Sequence, residues 1–185
     1  MTNLTYPVSV AGVERNLRLF EVAPGVKIAI LNILGDTEFV QAVAKALAAK
    51  LIPVGADILV TPETKSIPLA HALSVEMGIP YVVLRKNHKP YMGDALRADT
   101  QSITTGQTQT LFLDEKDRAL VAARNVILVD DVISTGSTLQ GMRAIMHTAG
   151  AHIIAETAIF TEGDSAKWAN IIALGHLPVF VDDVD

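Results

Sequence analysis

The sequence predicts an α/β fold: a mostly parallel, twisted sheet flanked by helices, with a polar insertion that reads as a lid. Three observations lead there. Strand-sized apolar runs alternate with helix-periodic segments along the chain, which is the pattern of parallel strands joined by crossover helices. The runs "DILV" (57–60) and "NVILV" (125–129) are continuously apolar near their ends, as strands buried on both faces are. One stretch, residues 87–117, breaks the pattern: it is polar and poor in aliphatic residues, and a long polar insertion in a compact domain is often a mobile lid.

The elements follow in order. Asp36 or Thr37 can cap a helix running to about Leu51, with Phe39, Val40, Val43, Leu47 and Leu51 on one face at spacings of three and four. Pro53 and Gly55 end it. "DILVT" reads as a buried strand, "SIPLAHALSVEMG" as a helix closed by Gly78, and "PYVVLRK" as the next strand. Inside the polar stretch, "SIT" and "QTLFL" flank "TGQ", which predicts a hairpin. "NVILV" is then a strand. "STLQGMRAIMHTAG" is a helix with Leu139, Met142, Ile145, Met146 and Ala149 on one stripe. "HIIAETAIF" reads as a strand, "DSAKWANIIALG" as a helix and "LPVFV" as a last strand. No repeat or low-complexity linker divides the 185 residues, so one domain spanning 1–185 is expected.

Composition excludes several classes. Half the residues are hydrophobic, 19% are charged, and the net charge is −5, which argues against a nucleic-acid partner. With no cysteine, disulfides, thiolate metal sites and a cysteine nucleophile are impossible. The N-terminus has no basic segment followed by an apolar one, and no apolar run approaches the ~18 residues of a membrane span. A cytoplasmic setting without membrane contact is expected.

The chemistry concentrates in "VILVDDVISTGST" (126–138). In parallel sheets, ligands bind beyond the carboxyl ends of strands. Asp130 and Asp131 stand where a buried strand emerges, and two adjacent carboxylates suit a vicinal diol. Ser134, Thr135, Gly136, Ser137 and Thr138 then turn into a helix whose first N–H groups hold anions well. Gly136 permits tight curvature and the hydroxyls add donors. A bare pair of aspartates would be read as an ordinary strand-end turn with helix caps; the whole string favours a ribose 5-phosphate, with the diol on the aspartates and the phosphate on the loop. The string contains neither a Walker loop nor a GxGxxG fingerprint.

This string closely resembles the signature of type I phosphoribosyltransferases, the loop that binds 5-phosphoribosyl-1-pyrophosphate. The resemblance implies the type I phosphoribosyltransferase fold. It also implies that Asp130 and Asp131 hold the ribose hydroxyls and residues 134–138 the 5-phosphate. "ILVTPETKSIPLA" resembles the "EARGF" pyrophosphate stretch of adenine phosphoribosyltransferases, with Glu63, Thr64, Lys65, Ser66 and Ile67 in those places. Lys65 stands where an arginine is usual and Ser66 where a glycine is. The family often has a non-proline cis peptide in this loop. "YVVLRKNHKPYMG" resembles a basic segment of the same enzymes, so Arg85, Lys86 and Lys89 would face pyrophosphate. Residues 87–117 would be the flexible catalytic hood, and residues 1–35 the N-terminal hood and base-pocket segment.

The expected activity is purine phosphoribosyl transfer, with adenine as the foremost base and Asp130, Asp131 and Lys65 as the catalytic set. Mg2+ would be held mainly through phosphoribosyl pyrophosphate and water, with no protein metal ligand assigned. The partners implied are phosphoribosyl pyrophosphate, a purine base and a second copy in a homodimer. The alternatives are a xanthine, hypoxanthine or guanine enzyme, or a catalytically weak phosphoribosyl-pyrophosphate-binding regulator. They stand because Thr104 and Thr105 occupy the places of the glutamate and tyrosine in the adenine enzymes' "SLEYG" stretch. Asp94 and Asp99 are nearby candidates for the missing acid. His71, His147, His152 and His176 read as packing or surface residues, with His88 of the basic loop the better candidate among the histidines. Trp168 reads as a core cover, and "TEGD" (161–164), at a strand end near the ligand edge, as an ordinary acidic turn, with base-pocket lining as the alternative.

Overall fold

The structure, a computed structural model, describes residues 4–101 and 108–181. The chain opens with three antiparallel strands: β1 (Thr5–Val10), β2 (Val13–Ala23) and β3 (Val26–Ile30). Ala11 and Gly12 join the first two with φ of 53° and 78°, the left-handed geometry of a two-residue hairpin turn. Sequence reasoning assigned no strand here. The signal was a period-two alternation, visible as alternate exposed and half-buried residues over Thr5–Val10 and the first half of β2.

α1 (Thr37–Leu51) follows. The Asp36 side chain caps it by accepting a hydrogen bond from the Phe39 N–H at 3.2 Å. The five residues of its predicted face are all buried. β4 (Ile58–Pro62), α2 (Ile67–Met77) and β5 (Tyr81–Leu84) form the next unit, with α2 closed by Gly78. β6 (Leu96–Gln101) and β7 (Thr108–Leu113) pair as a hairpin. The hairpin is as expected, although its strands begin earlier than "SIT"; both "SIT" and "TGQ" lie in residues 102–107, outside the described residues. A short α3 (Glu115–Val121), unanticipated, is capped by Asp114. Then come β8 (Asn125–Ile133), α4 (Ser137–Thr148), β9 (His152–Glu162), β10 (Ile172–Leu177) and β11 (Phe180–Val181).

The central sheet has the order β10-β9-β8-β4-β5, and every neighbouring pair is parallel. Alternation along its strands divides the core. Leu59, Ile127, Val129 and Ile159 bury against α1 and α2 on one face. Ile58, Val60, Val126, Leu128 and Ala158 bury against α4 and the β6–β7 hairpin on the other. The second sheet has the order β1-β2-β3-β11.

Two predicted elements are corrected. The helix expected over "DSAKWANIIALG" is only a single 3-10 turn at Ser165–Trp168, and Ile172–Leu177 is a strand. Parallel pairing with β9 outweighs helix propensity there, and Gly175 lets the Phe160 ring lie across it: a Cβ would stand 2.7 Å from Phe160 Cε1. The last strand is only Phe180–Val181 and joins β3 rather than the parallel sheet. No described helix is long and apolar enough to cross a membrane.

Candidate functional site

β8 does not stop at Val129. It continues through both aspartates to Ile133, paired with β9 as far as Ile133↔Thr161. Asp130 is therefore carried into the interior, 8% exposed, while Asp131 stays half-buried. Ser66 Oγ donates to Asp130 Oδ1 at 2.8 Å, and the Asp131 N–H donates to the same oxygen at 2.9 Å. Burial, together with the neighbouring Asp131 carboxylate, pushes the Asp130 carboxyl up to about 8 despite these donors.

The loop after β8 is shaped by Gly136 at φ 83°, where a Cβ would stand 2.6 Å from Trp168 Cη2. Trp168 is itself pinned, its Nε1 donating to the Glu162 carbonyl at 3.1 Å. Lys167 Nζ donates to the Thr135 carbonyl at 3.0 Å. The Thr135 and Ser137 hydroxyls lie 3.1 Å apart, and Thr138 Oγ1 donates to Gln109 Oε1 of β7 at 3.0 Å, tying the hairpin to the loop.

Helix capping distinguishes this region. α1 and α3, which start away from it, carry aspartate caps. α2 and α4, which start at it, have no side-chain bond from their N-cap residues, Ser66 and Gly136; the Ser66 hydroxyl is committed to Asp130 instead. At α4 only the Ser137 N–H has a side-chain partner, Thr135 Oγ1 at 3.4 Å; first-turn N–H groups without one present partial positive charge to whatever fills the space in front of them.

Between β4 and α2, the Glu63–Thr64 peptide bond is cis. Glu63 accepts from the Lys86 N–H at 3.0 Å, and Arg85 Nε approaches its other oxygen at 3.0 Å as an ion pair without hydrogen-bond alignment. Burial pushes the Glu63 carboxyl up, but the Lys86 N–H and Arg85 outweigh it and hold the group below its ordinary range. Lys65 is exposed and its Nζ reaches the Leu31 carbonyl at 3.4 Å.

A cleft of about 360 Å³ gathers these parts. Of the residues singled out in the sequence, Glu63, Thr64, Lys65, Ser66, Lys86, Asp130, Asp131, Ser134 and Thr138 line it. Thr135, Gly136 and Ser137 line an adjoining cradle that shares Asp130, Ser134 and Thr138. Arg85 stands behind Glu63. Lys89 lies on the exposed turn before Pro90–Met92 and lines neither space. Asp94 pairs with Arg118, and Asp99 with Arg97 and Thr110; neither aspartate lines the cleft. Thr104 and Thr105 lie outside the described residues.

Two further sets of residues line the cleft that were not singled out individually in the sequence, the first of them within the expected base-pocket segment of residues 1–35. Ile28, Ala29, Ile30 and Leu31, at the end of β3, form an apolar wall. Glu162 is the second: the "TEGD" turn was expected to be ordinary, yet Glu162 is 8% exposed and lines the cleft, and burial alone pushes its carboxyl up. The available signal was its place at the carboxyl end of a parallel strand, the edge where ligands bind.

Residues 31–173 match the model of the phosphoribosyl transferase domain, and the chain belongs to that family. A purine biosynthesis transcriptional activator, PurR, of Lactococcus lactis is 26% identical over 178 residues, covering 86% of this chain and 65% of that protein. The chain thus spans just under two thirds of that relative's length. A hypoxanthine/guanine phosphoribosyltransferase of Methanococcus voltae is 30% identical over 151 residues, covering 82% of this chain and 73% of that protein. Among solved structures, the adenine phosphoribosyltransferase of Thermoanaerobacter pseudethanolicus superposes with a TM-score of 0.68 at 18% identity, covering 94% of this chain and 95% of that one, a likeness of fold.

Proposed function

We propose that this chain transfers the 5-phosphoribosyl group of phosphoribosyl pyrophosphate to a ring nitrogen of a purine, releasing pyrophosphate. The observation that carries this reading is the convergence on one cleft of the Asp130–Asp131 pair, the hydroxyl loop of residues 134–138 and the Glu63–Ser66 loop. Asp130 and Asp131 accept from the ribose hydroxyls. The loop hydroxyls and the uncapped start of α4 hold the 5-phosphate. The start of α2, Lys65 and Lys86 face the leaving pyrophosphate, and Arg85 keeps Glu63 in place. Catalysis is by positioning and electrostatics as positive charge develops on the ribose. The β6–β7 hairpin, tied to the loop through Gln109 and Thr138, acts as the hood that excludes water.

The site suits Mg2+ shared with substrate. This ion keeps several waters and takes one or two carboxylates alongside phosphate oxygens. Asp131, half-buried at the cleft, is the available carboxylate, and no group of three or more acidic or histidine side chains among the described residues could hold a metal unaided. When bound, the ion would neutralise charge on the departing pyrophosphate.

Adenine is the base that the sequence resemblance puts first. The Methanococcus relative, a hypoxanthine/guanine enzyme by its name, favours a 6-oxopurine. A second reading, a regulator that binds phosphoribosyl pyrophosphate without transfer, is supported by the likeness to a transcriptional activator. Assembly as a homodimer is part of the proposal. The test is pyrophosphate release with phosphoribosyl pyrophosphate, Mg2+ and each of adenine, hypoxanthine, guanine and xanthine. Release with a purine that is lost in an Asp130→Asn/Asp131→Asn double variant supports the transferase. Silence with every base, while calorimetry records phosphoribosyl pyrophosphate binding, supports the regulator.

A further inference from the structure

Glu162 is a largely buried residue whose carboxyl group faces the cleft. It is 8% exposed, and its carboxylate takes part in no hydrogen bond or ion pair with the described residues. Its carboxylate oxygens open onto the cleft rather than into the core, and with no partner among the described residues they are free to meet a ligand. Its position is also rigid. The residue pairs in register with Leu177 of β10, its carbonyl receives Trp168 Nε1, and the Gly163 N–H donates to the Leu177 carbonyl at 3.2 Å.

The rest of the cleft says which part of a ligand reaches it. Asp130 and Asp131 take a diol, and residues 134–138 and 63–66 take the anions. What remains of the lining is the apolar set Ile28, Ile30, Leu31 and Val132, and Glu162, the one acidic side chain that the diol and anion sites leave unused. A flat heterocycle fits an apolar wall, and a carboxylate at its margin recognises a ring edge by the N–H donors it presents. An ionised carboxylate accepts only. It is matched by two adjacent donors, as on the N1–H and 2-amino edge of a 2-amino-6-oxopurine. It is mismatched by the edge of a 6-aminopurine, where a ring-nitrogen acceptor stands beside the amino group.

We propose that Glu162 is the specificity residue of this site and selects a 2-amino-6-oxopurine over a 6-aminopurine. This rests on the cleft being a purine-nucleotide site, as proposed above, and points to a different base from the one the sequence resemblance put first.

The test separates binding from turnover. Calorimetry with guanosine 5-monophosphate and adenosine 5-monophosphate, on the full chain and on Glu162→Gln, reads base selection whether or not the protein catalyses transfer. The expected result is guanosine 5-monophosphate at least tenfold tighter, with Glu162→Gln lowering that ratio tenfold or more by replacing one acceptor with a donor. Affinity for phosphoribosyl pyrophosphate, which carries no base, stays within twofold in the variant and reports that the site is still folded. Equal affinities for the two nucleotides, or a ratio unmoved by Glu162→Gln, would overturn the assignment while leaving the transferase reading intact. Failure of both nucleotides to bind would overturn both.

Discussion

Asp130 sits where its proton is held more tightly in the folded chain than in the unfolded one. The unfolded group loses its proton near pH 4, whereas burial and Asp131 raise the folded value to about 8. Between those values the folded state binds more protons, so stability falls as pH rises through the window and levels off above it. Asp130→Asn should therefore raise neutral-pH stability and flatten the slope. Urea denaturation from pH 4 to 9 checks this; an unchanged slope in the variant would refute it. The same substitution should abolish transfer. Gly136 has the opposite character: it is required by shape. Gly136→Ala meets both a left-handed backbone, at about 1–2 kcal/mol, and the Trp168 ring. Its stability should drop by that amount or more and its affinity for phosphoribosyl pyrophosphate at least tenfold, measured by calorimetry. Both residues were legible in the sequence because residues 126–138 carry their chemistry in contiguous order. Glu162 was legible only in part: its place at a strand end hinted at the ligand edge, but its burial comes from β9–β10 pairing, which no local spacing encodes.

Long helices and buried parallel strands were legible; half-exposed strands and short helices were not. α1, α2 and α4 each have an apolar face at helical spacing and a defined end, so local pattern and tertiary packing agree. For β1–β3 the apolar residues are thinly spread along strands with one exposed face, and for β10 the local apolar content suited a helix until its pairing with β9 was known. Asp36 shows how an end is fixed. It caps α1 through the Phe39 N–H and also accepts from Arg15 of β2 at 2.7 Å, joining the first sheet to the first helix. Asp36→Ala should cost about 1 kcal/mol from the cap alone. Hydrogen bonding to Arg15 outweighs burial and holds the Asp36 carboxyl below its ordinary range, so its contribution is present above pH ~4 and lost as pH falls through the lowered folded value. Comparing the variant's unfolding midpoint at pH 7 and pH 3 tests this: the difference from the parent should shrink at the lower pH.

At the scale of the molecule, one parallel sheet serves two cores. Leu47 lies on the α1 side and Met146 on the α4 side, both fully buried. Leu47→Ala and Met146→Ala should each cost about 2–5 kcal/mol. Their effects should add, since the two cores share no side chain, and the chain should still unfold in a single transition because β4, β8 and β9 belong to both. A resolved second transition in either variant would mean that the faces melt separately. The fold class was readable from the alternation of elements, but the division into two faces required the register. Trp168, placed against Gly136, is the chain's sole tryptophan. The protein therefore carries its own fluorophore packed against the loop of residues 134–138: selective excitation reads that one indole, and any rearrangement of the loop against it can be followed in real time, without a label, by stopped flow.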